Sequence, residues 1–399
     1  MGLNETVSAE RIHITFFGCC NAGKSSLVNA VLGQNLSVVS DIRGTTTDPV
    51  RKTMELLPLG PVLITDTPGL DDESEIGTLR TEKTNAELAK TDIAVLVIDS
   101  ALGERKADKR LKSELEARKI PYVVVLGKCD LKNEGENVGE AIRTSAKEGF
   151  GIFELKEKLG SFATLLKKEK KLISDLISDG DTVIMVTPID EAAPKGRIIL
   201  PQQMVLREIL DAHGIAVVCQ VEELDSVLSK LKDAPKLVIT DSQVFGKVSS
   251  VLPENIALTS FSILMARYKG ELAPLLEGVS ALDSLSDGDL VLISEACTHH
   301  KSCKDIGSVK IPKWIEEYSG VKPRFSFTSG GEFPKDLRKF KLIIHCGGCM
   351  INDAEMQHRM KTAKEAGVPM VNYGMAIAAM QGVLKRSLLV FNDELAADI

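Results

Sequence analysis

Two groups of residues in this 399-residue chain have the types and spacing to do chemistry. The first is Gly18-Cys19-Cys20-Asn21-Ala22-Gly23-Lys24-Ser25, which fits the phosphate-binding pattern G-x-x-x-x-G-K-[ST]. Its glycines let successive backbone N–H groups curl around a phosphate, and the helix start adds partial positive charge. Lys24 reaches the outer phosphates and Ser25 ligates Mg²⁺, with Ser26 next to it in the nucleotide site. The second group is Cys297-Thr298-His299 together with His345-Cys346-Gly347-Gly348-Cys349. Thiolates are good ligands for Zn²⁺ and for the iron of iron–sulfur clusters. The Cys-Gly-Gly-Cys turn lets two thiolates converge, and its glycines offer N–H groups to sulfur.

More parts of a nucleotide site follow the first group in order. Asp66-Thr67-Pro68-Gly69 closes an apolar run; Asp66 can hold Mg²⁺ through water, and the Gly69 N–H can meet the terminal phosphate. Gly44-Thr45-Thr46-Thr47-Asp48 lies between, where Thr46 fits a switch threonine that ligates Mg²⁺ only while the γ-phosphate is present. Lys128-Cys129-Asp130 reads the base: Asp130 accepts from guanine N1–H and the exocyclic amine, and Lys128 lies over the purine. Ser145-Ala146-Lys147 completes the base loop. The ligands implied are GTP or GDP with Mg²⁺.

This ordered set resembles the translation-factor class of small GTPases. Gly127 stands where that class carries an Asn, whose amide ties the base loop to the phosphate loop. Weaker nucleotide binding, still guanine over adenine, is the expectation. Leu70 stands where Ras-like proteins carry a water-orienting Gln. The run Asn21-Ala22-Gly23-Lys24-Ser25 resembles the phosphate loop of potassium-activated GTPases of the TrmE–Era group. That likeness implies that Asn21 helps hold K⁺ where an arginine finger would otherwise sit, and that hydrolysis runs faster in K⁺ than in Na⁺. Lys24, Asn21, Thr46, Asp66 and Gly69 are the expected catalytic set.

Three cysteines are one short of a full tetrahedral set. A 4Fe–4S cluster on Cys297, Cys346 and Cys349 would leave one iron exchangeable, with His299, His345, His300, Asp305, Cys303 or solvent in the fourth place. A structural zinc would prefer four strong ligands. Cys19, Cys20, Cys129 and Cys219 read as packing residues.

These residues must be positioned by strand ends. Apolar runs at Ile12–Phe17, Pro61–Thr65, Ile93–Asp99 and Tyr122–Gly127 alternate with helical periods near 24–33, 78–90, 104–119 and 151–166. That alternation predicts a parallel sheet covered by helices. Later strands are expected at Thr182–Thr187, Ile215–Gln220, Lys236–Thr240 and Ala257–Thr259, then at Leu290–Ser294, Arg324–Thr328, Leu342–His345 and Pro369–Asn372. The fold class is therefore α/β in three domains: an N-terminal parallel-sheet nucleotide domain over 1–168, then two smaller α/β domains over 175–265 and 270–399. Both cysteine stretches fall just after strands of the last domain, a common site position in open α/β sheets.

Composition narrows the function. Net charge is −7 and aromatics make up 4%, which argues against a nucleic-acid partner. No run of 18 apolar residues predicts a membrane span, and the N-terminal residues lack the layout of a signal peptide, so a cytoplasmic setting is expected. Eight cysteines there read as thiols or metal ligands.

A nucleotide domain joined to Cys-x-His and a distant His-Cys-x-x-Cys resembles the HydF family, the maturation GTPases of FeFe-hydrogenases. Gly196-Arg197-Ile198-Ile199-Leu200-Pro201-Gln202 and Asn372-Tyr373-Gly374 support the likeness, which spans the whole chain. It implies a scaffold for the diiron subcluster, a 4Fe–4S cluster, a homodimer formed by the middle domain, the radical-SAM maturases HydE and HydG as donors, and apo FeFe-hydrogenase as acceptor. The competing expectation is an Era-like GTPase in ribosome assembly or tRNA modification, with a structural zinc.

Overall fold

The computed structural model describes residues 8–33, 49–69, 83–131, 140–166, 170–189, 198–297 and 305–397. The chain divides into two units, Met1–Glu169 and Lys170–Ile399.

The first unit carries a six-stranded sheet in the order β2-β3-β1-β4-β5-β6. Its strands are β1 (Ile12–Phe17), β2 (Val50–Leu56), β3 (Gly60–Asp66), β4 (Ile93–Asp99), β5 (Tyr122–Gly127) and β6 (Ile142–Arg143). The four predicted apolar runs form the four central strands. Every residue of β4 is buried, as expected for a strand covered on both faces. The sheet is not wholly parallel, because β2 pairs antiparallel with β3. β2 carries Arg51, Lys52 and Glu55 and exposes much of its length, so it lacks the apolar run that marks its neighbours. Charged side chains on an edge strand also discourage pairing with other chains.

The second unit has two four-stranded parallel sheets. One runs β10-β9-β7-β8, from β7 (Thr182–Val186), β8 (Ile215–Cys219), β9 (Leu237–Thr240) and β10 (Ala257–Ser260). The other runs β12-β11-β13-β14, from β11 (Leu290–Glu295), β12 (Arg324–Ser329), β13 (Leu342–His345) and β14 (Met370–Asn372). All eight predicted strands form. One hydrophobic core joins both sheets, with Val186 and Ile239 from the first and Ile293 and Ile343 from the second.

Two helices, Phe261–Lys269 and Leu272–Leu282, were not anticipated. The first contacts both β10 and β14, and it buries Phe261, Ile263, Leu264, Met265 and Ala266. Six of its nine residues are buried, which leaves little exposed face to reveal its period. Its start is set by Ser260, whose side chain accepts from the Ile263 N–H.

Candidate functional site

The phosphate loop follows β1 and opens the helix Lys24–Leu32, as its pattern requires. Gly18 adopts φ +148, and a Cβ there would lie 2.2 Å from the Val97 carbonyl oxygen, so only glycine fits. Gly23 at φ +96 and Asn21 at φ +61 complete the left-handed curl. Ala22 is fully buried beneath it. Lys24 donates to the carbonyls of Gly18 and Cys19 at 2.9 and 3.0 Å. Its ammonium is therefore held inside the loop.

Ser25 Oγ donates to Asp66 Oδ2 at 2.5 Å, which brings the two expected Mg²⁺-site residues together. Asp66 Oδ1 is buried and has no hydrogen-bond partner. Burial pushes the Asp66 carboxyl up, against the Ser25 hydrogen bond and the Lys24 charge, and burial pushes Lys24 down. An orphan carboxylate oxygen beside a serine hydroxyl fits a hydrated divalent cation, which would supply the missing positive charge. Gly69 packs onto the loop so closely that a Cβ would lie 2.5 Å from Cys20 Cα. Thr46 and Leu70 lie outside the described residues.

A pocket opens beside this loop, lined in part by Ser26, Lys128, Asp130, Thr144, Ala146 and Lys147, and so includes the residues expected to read the base. Ser145 Oγ donates to Asp130 Oδ1 at 2.8 Å and so orients the carboxylate expected to read the base. Lys128 itself spans the two loops, donating to the Asn21 carbonyl and pairing with Asp99 at 2.8 Å. Gly127 abuts the phosphate loop, where a Cβ would lie 3.1 Å from the Ala22 carbonyl oxygen.

In the second unit, the register Ser294↔His345 sets the ends of β11 and β13 side by side. The Ala296 N–H donates to Cys346 Sγ at 3.1 Å. Cys297, the next residue, thus leaves β11 at the mouth of the Cys346–Cys349 turn. Gly348 at φ +69 makes that turn, and Gly347 lies against the helix Phe261–Lys269, where a Cβ would meet Met265 Cβ at 3.3 Å. Among the described residues, no three His, Cys, Asp or Glu side chains are grouped so as to hold a metal. The donor set nevertheless fits a thiolate-bound metal: three half-buried thiols, with a backbone N–H already aimed at sulfur. Burial pushes the Cys346 thiol up to about 11, so binding a metal there releases its proton.

The candidate fourth ligands separate. His299, His300 and Cys303 lie outside the described residues. His345 is fully buried with both ring nitrogens engaged. Nδ1 meets the Cys346 carbonyl at 2.7 Å, and Nε2 accepts from Arg359 at 3.0 Å. Burial, then the Arg359 charge, lowers its pKa to about 3, so it is a neutral support for the turn. Asp305 Oδ2 accepts from the Ser308 N–H and hydroxyl at 2.7 and 2.6 Å, capping the next helix.

Of the four cysteines read as packing residues, Cys19 is buried and donates to Asp108 Oδ1 at 3.3 Å. Burial, then the Asp108 charge, raises its pKa to about 12, as befits an inert thiol. Arg359, Asp99 and Tyr373 gained no individual role from the sequence. A buried arginine on a polar helix carries no local signal. Asp99 ends a predicted strand beside the base loop, and that adjacency was the available clue.

Comparisons with known proteins fit this geometry. Residues 172–270 match the hydrogen maturase F dimerization domain, and 273–390 match its tetramerization domain. The chain belongs to the HydF family. Residues 13–128 match a family described as 50S ribosome-binding GTPase, so this HydF carries a GTPase domain in its first unit. GTPase Der of Kosmotoga olearia is 32% identical over 217 residues, 49% of this chain and 48% of that protein. tRNA modification GTPase MnmE of Endomicrobium trichonymphae is 38% identical over 167 residues, 38% of this chain and 35% of that protein. The chain thus spans about half the length, or less, of these curated relatives. Era in its complex with MgGDPNP and 16S ribosomal RNA is 19% identical with a TM-score of 0.34, over 57% of this chain and 90% of that one. Among the described residues, no helix is long and apolar enough to cross a membrane.

Proposed function

We propose that this HydF is a GTP-hydrolysing scaffold that holds a 4Fe–4S cluster and carries the diiron subcluster to apo FeFe-hydrogenase. The observation that carries the reading is the Ala296 N–H bond to Cys346 Sγ, which sets Cys297 beside the Cys-Gly-Gly-Cys turn. Cys297, Cys346 and Cys349 would hold the cluster. His345 and Arg359 fix the turn from beneath. A cluster with three protein ligands supplies one exchangeable iron site, suited to docking and releasing a cargo.

In the GTPase domain, the Ser25–Asp66 pair would hold Mg²⁺, Lys24 would bind the outer phosphates, and Asp130 would read guanine. Thr46 completes the Mg²⁺ shell in this reading, and Asn21 would hold K⁺. The precursor would come from the radical-SAM maturases HydE and HydG. Self-association as a homodimer would use 175–265, and the working compartment is the cytoplasm. The GTP state can shift partner docking only if its affinity differs between the docked and free forms.

Anaerobic reconstitution with iron and sulfide tests the cluster. The expected result is 4Fe–4S absorption and, after reduction with dithionite, a 4Fe–4S EPR signal, both lost in Cys297→Ala, Cys346→Ala and Cys349→Ala. Tight zinc with no cluster would return the chain to the zinc-bearing Era-like reading. Lys24→Ala is expected to abolish hydrolysis and leave the cluster intact.

A further inference from the structure

The Tyr373 hydroxyl is the least explained polar group of the second unit. Tyr373 is 7% exposed, and its Oη has no hydrogen-bond partner. Folded proteins seldom leave such a group unpaired. Strand register fixes where it lies. β13 and β14 pair His345 with Asn372, so Cys346 and Tyr373 leave their strands side by side. Glu295, Cys346, Asp305 and Cys297 are the groups within electrostatic reach of the hydroxyl. Gly307 makes the space: a Cβ there would lie 2.4 Å from Glu295 Oε1 and 2.5 Å from Tyr373 Oη.

A phenol hydroxyl is protonated at neutral pH and is therefore an O–H donor. A buried donor that bonds to none of its neighbours points to an acceptor beyond these side chains.

We propose that Tyr373 Oη donates a hydrogen bond to a sulfur of the cluster on Cys297, Cys346 and Cys349, and so raises its reduction potential. The inference rests on the cluster reading above. A hydrogen bond to sulfur withdraws negative charge from the cluster and favours the reduced state. Gly307 contributes by its missing side chain, which lets the hydroxyl sit beside Glu295 without steric pressure.

The test is a redox titration of the reconstituted full-length protein, followed by EPR, with iron and sulfide counted in each sample. Tyr373→Phe removes one oxygen and keeps the ring. The expected result is an undiminished iron count with a midpoint potential more negative than wild type. Gly307→Ala, which pushes against Oη, is expected to shift the potential in the same direction. Wild-type potential in a fully loaded Tyr373→Phe protein overturns the proposal and leaves the cluster reading standing. If Tyr373→Phe does not fold, the potential of Gly307→Ala decides by the same criterion. A wild-type protein that takes up no cluster overturns the cluster reading itself, and this inference with it.

Discussion

Lys128 and Asp99 form an ion pair of 2.8 Å across the ends of two neighbouring strands, β5 and β4. The same ammonium donates to the Asn21 carbonyl in the phosphate loop. One lysine therefore makes the link between base loop and phosphate loop that an asparagine amide would make at position 127. A hydrogen bond to a charged group contributes about 1.5–3 kcal/mol. Lys128 is about one-third exposed, so solvent screening reduces that. Asp99→Ala is expected to weaken GDP binding roughly 3–10-fold, read by a fluorescent nucleotide titration. Gly127→Asn is expected to bring no gain, because its Cβ would press on the Ala22 carbonyl at 3.1 Å. Tighter GDP binding in Gly127→Asn would show that the lysine does not fill the role.

Asn21 can be separated from its own backbone. It sits at φ +61, where most residues are strained and glycine is not. Asn21→Gly keeps the loop and removes only the amide, whereas Asn21→Ala mixes both effects. Hydrolysis by wild type is expected to run faster in K⁺ than in Na⁺, and Asn21→Gly to lose that difference. Equal rates in the two salts for wild type would remove the cation argument.

Gly69 admits no side chain. Its added Cβ would lie 2.3 Å from Cys20 Sγ but also 2.7 Å from the Cys20 backbone nitrogen. Gly69→Ala is expected to lose most GTP hydrolysis. Trimming the sulfur in a Gly69→Ala, Cys20→Ala double variant should not restore it, because the backbone clash remains. Recovery of the wild-type rate in the double variant would put the conflict at the sulfur alone.

Arg359 is 1% exposed and donates to Glu355 Oε1 at 2.5 Å, to the Gly330 carbonyl at 2.7 Å and to His345 Nε2 at 3.0 Å. Replacing it with Met leaves Glu355 and His345 buried without their partner. Breaking a buried pair from one side costs about 3–5 kcal/mol. Arg359→Met is expected to unfold at clearly lower denaturant by circular dichroism. Arg359→Lys is expected to recover only part of this, since an ammonium cannot reach all three acceptors in a planar fork.

Arg267 joins two distant stretches, pairing with Asp175 and donating to Glu394 at 2.5 Å. Burial opposes ionisation of Asp175, but the Arg267 hydrogen bond and charge outweigh it and hold the carboxyl below its ordinary 3.8. A carboxyl with a depressed folded-state pKa stabilises fully above the unfolded value. That contribution fades below pH 3.8 and vanishes beneath the folded value. Asp175→Asn should therefore lower stability at pH 7, and the gap to wild type should shrink under strong acid. A gap that persists unchanged there would assign the effect to packing.

The sequence alone determined the strands that are buried on both faces and the residues that punctuate them. Continuous apolar runs such as Ile93–Asp99 can satisfy their side chains only inside a covered parallel sheet, so pattern and environment agree locally. Gly18, Gly23 and Lys24 were legible for a similar reason: a phosphate loop is short, and its geometry lies within a few adjacent residues. Tertiary structure decided what depends on partners far along the chain. The charged edge strand β2 exists because β3 offers it a free side. The helix Phe261–Lys269 is visible only as filler between two sheets. His345 could be read as a ligand until Arg359, 14 residues away, occupied its second nitrogen. The contact of Ala296 with Cys346, 50 residues later, follows from the β11–β13 register, because hydrogen bonding between strands carries no signature in either strand's own residues.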